Sequence, residues 1–502
     1  MPRGRCTIGR DVILIHSNSP APPTFDWSGP ARTHLVTLTD RGDLLFFLAL
    51  LALPVDGTVI GLYAPFWTPI SPWLFLLYAL VNWRELPNVY RHFRVWFLFP
   101  AALIVLSSLG WATVAFHPVA AVTSWTAVVG ALACLVAVDI AVRLKGLRWQ
   151  DMIRTIIIAY WFAFAVGVLQ WIGVVAHLGS VQGYFGHLMA RPYSSPDSKW
   201  GGGRPQFLFA EPSYIGMHLF GVLLPLMWLM RTRDRIYVKR LRDLIVAFAA
   251  GSVLMGVGVR IILDSLVALI IVIVERTRWR KPESRNRGIV ALIATGIAGA
   301  LSIALNSRLN SIAENGMMGD GSFFARIWQS LGPLCGMIER PSTILTGYGA
   351  GNIDDATHTG ADMARSTLES LQLNATNAYG WYRSMTPDTI WTMSAYTSFL
   401  VEYGLVGLAL LIALVAHHIG ARRAWNKTVV CWFVLVAYLY IQFEGYAFYA
   451  IPLLVWSVSM EYGLEPKDGA SDDLAVVATL RRFLDRMMTR RTRPSTANTV
   501  KP

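Results

Sequence analysis

The sequence predicts an all-α fold, a polytopic transmembrane helix bundle of about twelve spans with two extracytoplasmic loops, the larger partly helical. Three observations predict it. The 502 residues are 54% hydrophobic and only 15% charged, against about 25% charged in a soluble domain, and mean hydropathy is +0.45. Apolar runs near the roughly 20 residues that cross a bilayer recur along the chain. Its basic residues fall in short clusters between those runs, which is how membrane orientation is written. In a soluble chain the net charge of +13 would point to nucleic acid; here it sets orientation, and no nucleic-acid partner is expected.

Residues 1–43 are polar and proline-bearing, without an apolar core of signal-peptide length, so they are expected to form a cytoplasmic segment ahead of a retained first span. The domain at 44–462 then has spans at 44–62, 65–82, 95–115, 123–142 and 155–177. The first two are interrupted by Pro54, Asp56, Pro65, Pro69 and Pro72. Further spans follow at 207–230, 244–259, 261–274, 288–305, 397–418, 428–443 and 446–462. With twelve, the clusters around Arg91, Lys145, Lys239, Lys281 and Arg422 all share the cytoplasmic side, as do both termini. The two long polar stretches, 179–206 and 306–396, then lie outside, and the second contains no lysine. In the 463–502 tail, Leu474, Val477, Leu480, Leu484 and Met487 recur at helical spacing opposite arginines, the pattern of a basic amphipathic helix at a membrane surface.

Four constellations carry candidate chemistry. Glu211 opens the sixth span in Phe209-Ala-Glu211-Pro212-Ser213-Tyr214, with Arg204 just before it. Intramembrane carboxylates usually face a partner or a watery cavity, although Pro212 fits a first helical position and Glu211 would then simply cap the helix. Arg260 lies between the seventh and eighth spans, where little loop is available to solvate it. Asp264, four residues on, offers an ion pair, and a guanidinium can hold a carboxylate and a phosphate oxygen together. Third, Arg326 lies in an apolar helical stretch, followed by the glycine-rich turn Gly347-Tyr-Gly349-Ala-Gly351, whose backbone can approach a ligand or another helix closely. Three arginines on one face suit a di-anion. Fourth come Tyr379, Trp381, Tyr382, Trp391 and Tyr396, which read either as an interfacial aromatic belt or as platforms for sugar rings. His218, Asp139 and His417/His418 stand without a visible constellation and are read as helix-packing residues. The four cysteines, Cys6, Cys134, Cys335 and Cys431, are scattered, so neither a disulfide framework nor a metal site is indicated.

Arg204 with the Glu211-Pro212-Ser213-Tyr214 segment, then Arg260, Arg326-Ile-Trp328, the glycine turn and Phe399-Leu-Val-Glu402-Tyr-Gly404-Leu-Val-Gly407 resemble, in order and topology, the O-antigen polymerase and ligase superfamily. The resemblance spans roughly residues 200–410. It implies an integral-membrane, metal-independent glycosyltransferase without cofactor, in a bacterial inner membrane, acting on the extracytoplasmic face. Its substrate would be undecaprenyl-pyrophosphate-linked oligosaccharide, and a flippase and a chain-length regulator are implied as partners. Ligases of the superfamily typically carry a histidine where this chain has Ser394, a departure that favours the polymerase branch.

Transfer from a pyrophosphate needs stabilisation of the departing di-anion and a base for the attacking hydroxyl. The expected catalytic residues are therefore Glu211, Arg260 and Arg326. Arg204, Ser213, Tyr214, Gly347, Gly349, Tyr379, Trp381 and Tyr396 are expected to bind substrate. A lipid-linked oligosaccharide transporter is the chief rival, since many spans and buried charges also describe carriers. A ligase acting on lipid A core is the nearer alternative.

Overall fold

The computed structural model describes residues 42–59, 69–195, 203–442 and 449–460. The N-terminal segment before residue 42 and the amphipathic helix expected after residue 473 lie outside them. Among the described residues the regular structure is helical, with one isolated bridge between Thr58 and Met189.

The first half of the chain forms α1 (Asp43–Leu51), α2 (Ile70–Val81), α3 (Leu86–Thr113), α4 (Pro118–Asp139), α5 (Trp149–Val175) and the short α6 (Gly179–Leu188). A 3-10 turn at Pro212–Tyr214 leads through a wide π turn at Met217–Leu223 into α7 (Leu224–Met230). Then come α8 (Arg235–Leu254), α9 (Val259–Arg276) and α10 (Pro282–Leu305). The 306–396 insertion carries α11 (Ser307–Asn315), α12 (Gly321–Glu339), α13 (Ser342–Thr346), α14 (Ile353–Thr359), α15 (Ala361–Ser370) and α16 (Thr376–Ser384). The chain returns through α17 (Ala395–Ala421), α18 (Lys427–Leu439) and α19 (Ala450–Ser459).

Every expected span contains a helix, but six helical stretches among the described residues are long and apolar enough to cross a membrane: 83–113, 118–144, 149–175, 212–230, 282–305 and 395–421. The shortfall from twelve has two physical causes. α1, α2, α18 and α19 have only 9, 12, 13 and 10 residues, too few at 1.5 Å rise per residue to span about 30 Å of hydrocarbon alone. α8 and α9 are long enough, but charges interrupt their apolar runs: five in the first nine residues of α8, and Arg260, Asp264, Glu275 and Arg276 in α9.

The 212–230 stretch is the hub. It is apolar on all sides, so it needs neighbours on all sides, and its apolar window is entirely buried. By contrast, α10 buries only 11% of its window and α3 22%, leaving rows such as Val290, Ile293, Ile297 and Leu301 facing outward.

The insertion has its own core. Phe324, Trp328 and Cys335 of α12 pack with Ala361, Ala364 and Leu368 of α15 and with Ala378 and Tyr382 of α16. A second cluster, Met337, Tyr348, Ile353, Ala356 and Ile390, reaches Val401 of α17 and fastens the insertion to the bundle.

That junction is made by two of the motifs. Gly404 breaks α17 at φ 66, ψ −176, a region essentially reserved for glycine. The break frees carbonyls that the glycine turn uses: Tyr348 N donates to Val401 O at 2.7 Å and Gly349 N to Glu402 O at 3.0 Å. Glu402 Oε1 accepts from Gly351 N at 2.9 Å and from Ser124 Oγ of α4 at 2.5 Å. Three separated segments, α17, the glycine turn and α4, therefore meet at one buried carboxylate.

Candidate functional site

Glu211 is extended backbone at φ −137, ψ 147, directly before the Pro212–Tyr214 turn, and its side chain makes no capping hydrogen bond. Its carboxylate turns elsewhere. Arg191 Nη1 donates to Oε1 at 2.8 Å, Ser213 Oγ donates to Oε2 at 2.9 Å, and the side chain is only 11% exposed. Helix capping therefore does not account for this acid. Tyr214 is buried beside it.

The backbone around Glu211 is held by a buried polar chain. Asp56 Oδ1 accepts from Ala210 N at 3.0 Å, while its Oδ2 lies 3.1 Å from His218 Nε2. His218 Nδ1 in turn lies 2.7 Å from the Tyr160 hydroxyl. Gln170 Oε1 accepts from the backbone N–H of both Gln206 and Phe207. Read as a lone packing residue from sequence, His218 is instead the middle of this chain. Asp139 and His418 are satisfied locally, by Arg143 and by Trp96 and Ser459.

Arg260 and Asp264 lie one turn apart at the start of α9. Arg260 Nε is 2.9 Å from both Asp264 oxygens, Arg260 Nη2 donates to Leu439 O at 3.2 Å, and the Tyr438 hydroxyl donates to Asp264 Oδ1 at 3.0 Å. The sequence-level ion pair is present, and it is buried. Gly216 brings the Glu211 helix onto this pair so closely that a Cβ there would lie 1.9 Å from Asp264 Oδ2. Arg326 of α12 also acts electrostatically on Asp264.

Arg204 completes the cluster. Its guanidinium lies over the Tyr193 ring at 5.5 Å, and its Nη1 is 4.0 Å from the Cβ position of Gly258, the residue preceding α9. Burial, and next the Arg308 guanidinium, lower the Arg204 pKa, against Tyr193, Glu211 and Asp320. Arg308 is itself bridged to Asp320 at 2.6 Å, and Asp320 caps α12 by accepting from Phe323 N. Arg191, Arg204, Arg260, Arg308 and Arg326 are thus linked, by ion pair or by electrostatic interaction, to the three acids Glu211, Asp264 and Asp320. Such an arrangement can hold an oxyanion and offers a carboxylate as proton acceptor.

The remaining expected residues lie elsewhere. Gly347 and Gly349 belong to the α17 junction: a Cβ on Gly347 would lie 2.3 Å from Glu402 O, and one on Gly349 would lie 2.9 Å from Ser107 O. Of the two approaches open to this turn, the one observed is to other helices. The Tyr379 hydroxyl donates to Asp362, and Arg365 and Arg383 lie over its ring. Trp381 packs edge-on to Trp328 and Trp391 in the insertion core. Tyr396 lines an apolar pocket between α17, α18 and α19 and donates to Ala437 O at 2.8 Å.

Arg191, Arg308, Asp320 and the Asp56–His218–Tyr160 chain were missed from sequence. The one signal for Arg191 was its place in the 179–206 loop that precedes the Glu211 motif. No protein-family model matches the chain, and no curated protein matches it.

Proposed function

We propose that this protein is an integral-membrane glycosyltransferase that polymerises undecaprenyl-pyrophosphate-linked oligosaccharide repeat units into O-antigen, capsular or exopolysaccharide. The observation that carries the reading is a chain of contacts: Arg204 interacts electrostatically with Glu211, Gly216 packs the chain just after Glu211 onto Asp264, the partner of Arg260, and Arg326 acts on that same Asp264. Twelve crossings with both termini cytoplasmic would put the cluster on the extracytoplasmic face of a bacterial inner membrane. Nucleotide sugars are absent there and lipid-linked glycans are the available donors.

In the reaction, a hydroxyl of one lipid-linked unit attacks the anomeric carbon of the growing glycan. A new C–O bond forms, the bond to pyrophosphate breaks, and undecaprenyl pyrophosphate leaves with the electron pair. Glu211 takes the hydroxyl proton, and the arginines hold the developing charge on the leaving group. Arg191 and Ser213 orient the Glu211 carboxylate. Forked guanidinium donors suit phosphate oxygens better than ammonium groups do. A flippase would supply the substrate, and a chain-length regulator would act on the product.

The test is incubation of purified protein with a lipid-linked repeat-unit pool, without nucleotide sugar, followed by gel separation of the glycans. A ladder is expected. Unchanged glycans, with substrate binding intact, would favour transport, and transfer to added lipid A core would favour the ligase branch.

A further inference from the structure

A separate cluster lies where the insertion meets the turn between α3 and α4. His117 Nε2, in that turn, is 3.0 Å from Asp355 Oδ2 and 3.8 Å from Asp354 Oδ2, both in the first turn of α14. Donor atoms of the three residues lie within 4.8 Å of one another, although 238 residues separate His117 from Asp355. Asp354 is only 4% exposed, and its Oδ1 has no hydrogen-bond partner among the described residues. One turn further along α14, His358 acts electrostatically on Asp354, and its Nε2 is likewise buried without a hydrogen-bond partner.

We propose that His117, Asp354 and Asp355 form a binding site for a divalent first-row metal ion, best suited to Zn2+. Asp354 Oδ1 is left buried and unsatisfied, which is costly, and a cation bound through both Asp354 oxygens would satisfy it. Tetrahedral zinc with bonds of about 2.0–2.1 Å sets its donors about 3.3 Å apart, and the two distances from His117 Nε2 straddle that separation. Imidazole nitrogen among the donors favours zinc over magnesium or calcium, which prefer oxygen alone. The ion would tie the α3–α4 turn to α14 beside the contacts from Asn352 Nδ2 to Ala115 O, 2.6 Å, and from Trp111 Nε1 to Ala350 O, 2.9 Å. None of these residues belongs to the Glu211 cluster, so the ion's role is to fasten the insertion, and the proposal does not depend on the reaction proposed above.

The competing account is a protonated His117 that simply pairs with two aspartates. His117→Arg separates the two, because a guanidinium keeps the ion pairs but cannot ligate a metal. Tag-free protein stripped with chelator is titrated with ZnCl2 by calorimetry and then melted. The expected result is one Zn2+ per chain and a raised melting temperature. Asp354→Asn and His117→Arg should weaken binding roughly tenfold or more, while metal-free His117→Arg melts as metal-free wild type does. No zinc binding by wild type, unchanged binding in both variants, or binding of Mg2+ or Ca2+ in preference to Zn2+ would overturn the proposal.

Discussion

Glu211 is bonded to Arg191 at 2.8 Å, a pairing across 20 residues that joins the loop before the buried hub to the acid at its mouth. The pairing gives a side chain of 8% exposure a hydrogen-bonded partner. Glu211→Gln keeps shape and the Ser213 contact but cannot accept a proton. It is expected to lower turnover by about 10²- to 10⁴-fold at unchanged protein level in the membrane, read from chain-elongation rates. Wild-type rates would leave Glu211 a purely structural partner of Arg191.

Arg260 uses its fork, with Nε on both Asp264 oxygens and Nη2 on Leu439 O. A lysine keeps the charge but cannot span these acceptors. Arg260→Lys is therefore expected to lose both melting temperature and turnover. A variant that melts and turns over as wild type does would show that charge alone suffices at this position.

The thiols of Cys134, Cys335 and Cys431 are buried, so reaction with a thiol-specific dye during heating reports unfolding. By that readout Gly404→Ala is expected to destabilise the protein. The backbone at Gly404 is held at φ 66, ψ −176, and a Cβ would lie 2.3 Å from Leu345 O. Strain of this kind costs about 1–3 kcal/mol before the steric clash is counted. An unshifted transition would mean that the α17 break is not needed for docking of the glycine turn.

Asp56→Ala removes the acceptor shared by Ala210 N and His218. Each buried donor left unpaired costs about 1–3 kcal/mol, so the melting temperature should fall clearly. Turnover should fall with it, because the same contact fixes the backbone one residue before Glu211. Loss of stability with full turnover in the surviving folded fraction would detach this chain from the site.

Much of this was legible in the sequence because local rules governed it. Apolar run length placed a helix in every expected span, and four-residue spacing placed Asp264 on Arg260. Span number was less legible, since α8 and α9 are interrupted by charge and α1, α2, α18 and α19 are short. The pairing of Arg191 with Glu211 depends on the path of a loop, which no periodicity encodes. The glycine turn could be read as ligand-facing or helix-facing, and only the break at Gly404 shows which backbone it meets. His117 and Asp355 are brought together by the docking of the insertion, which no local spacing records.

The most direct test of the central claim counts undecaprenyl pyrophosphate released for each glycosidic bond formed, using purified protein and one defined lipid-linked repeat unit. The account predicts one released per bond for wild type, with both events lost together in Arg260→Ala and strongly slowed in Glu211→Gln. Folded wild-type protein that binds the substrate yet neither releases the carrier nor extends the glycan would contradict it, as would variants that do both at the wild-type rate.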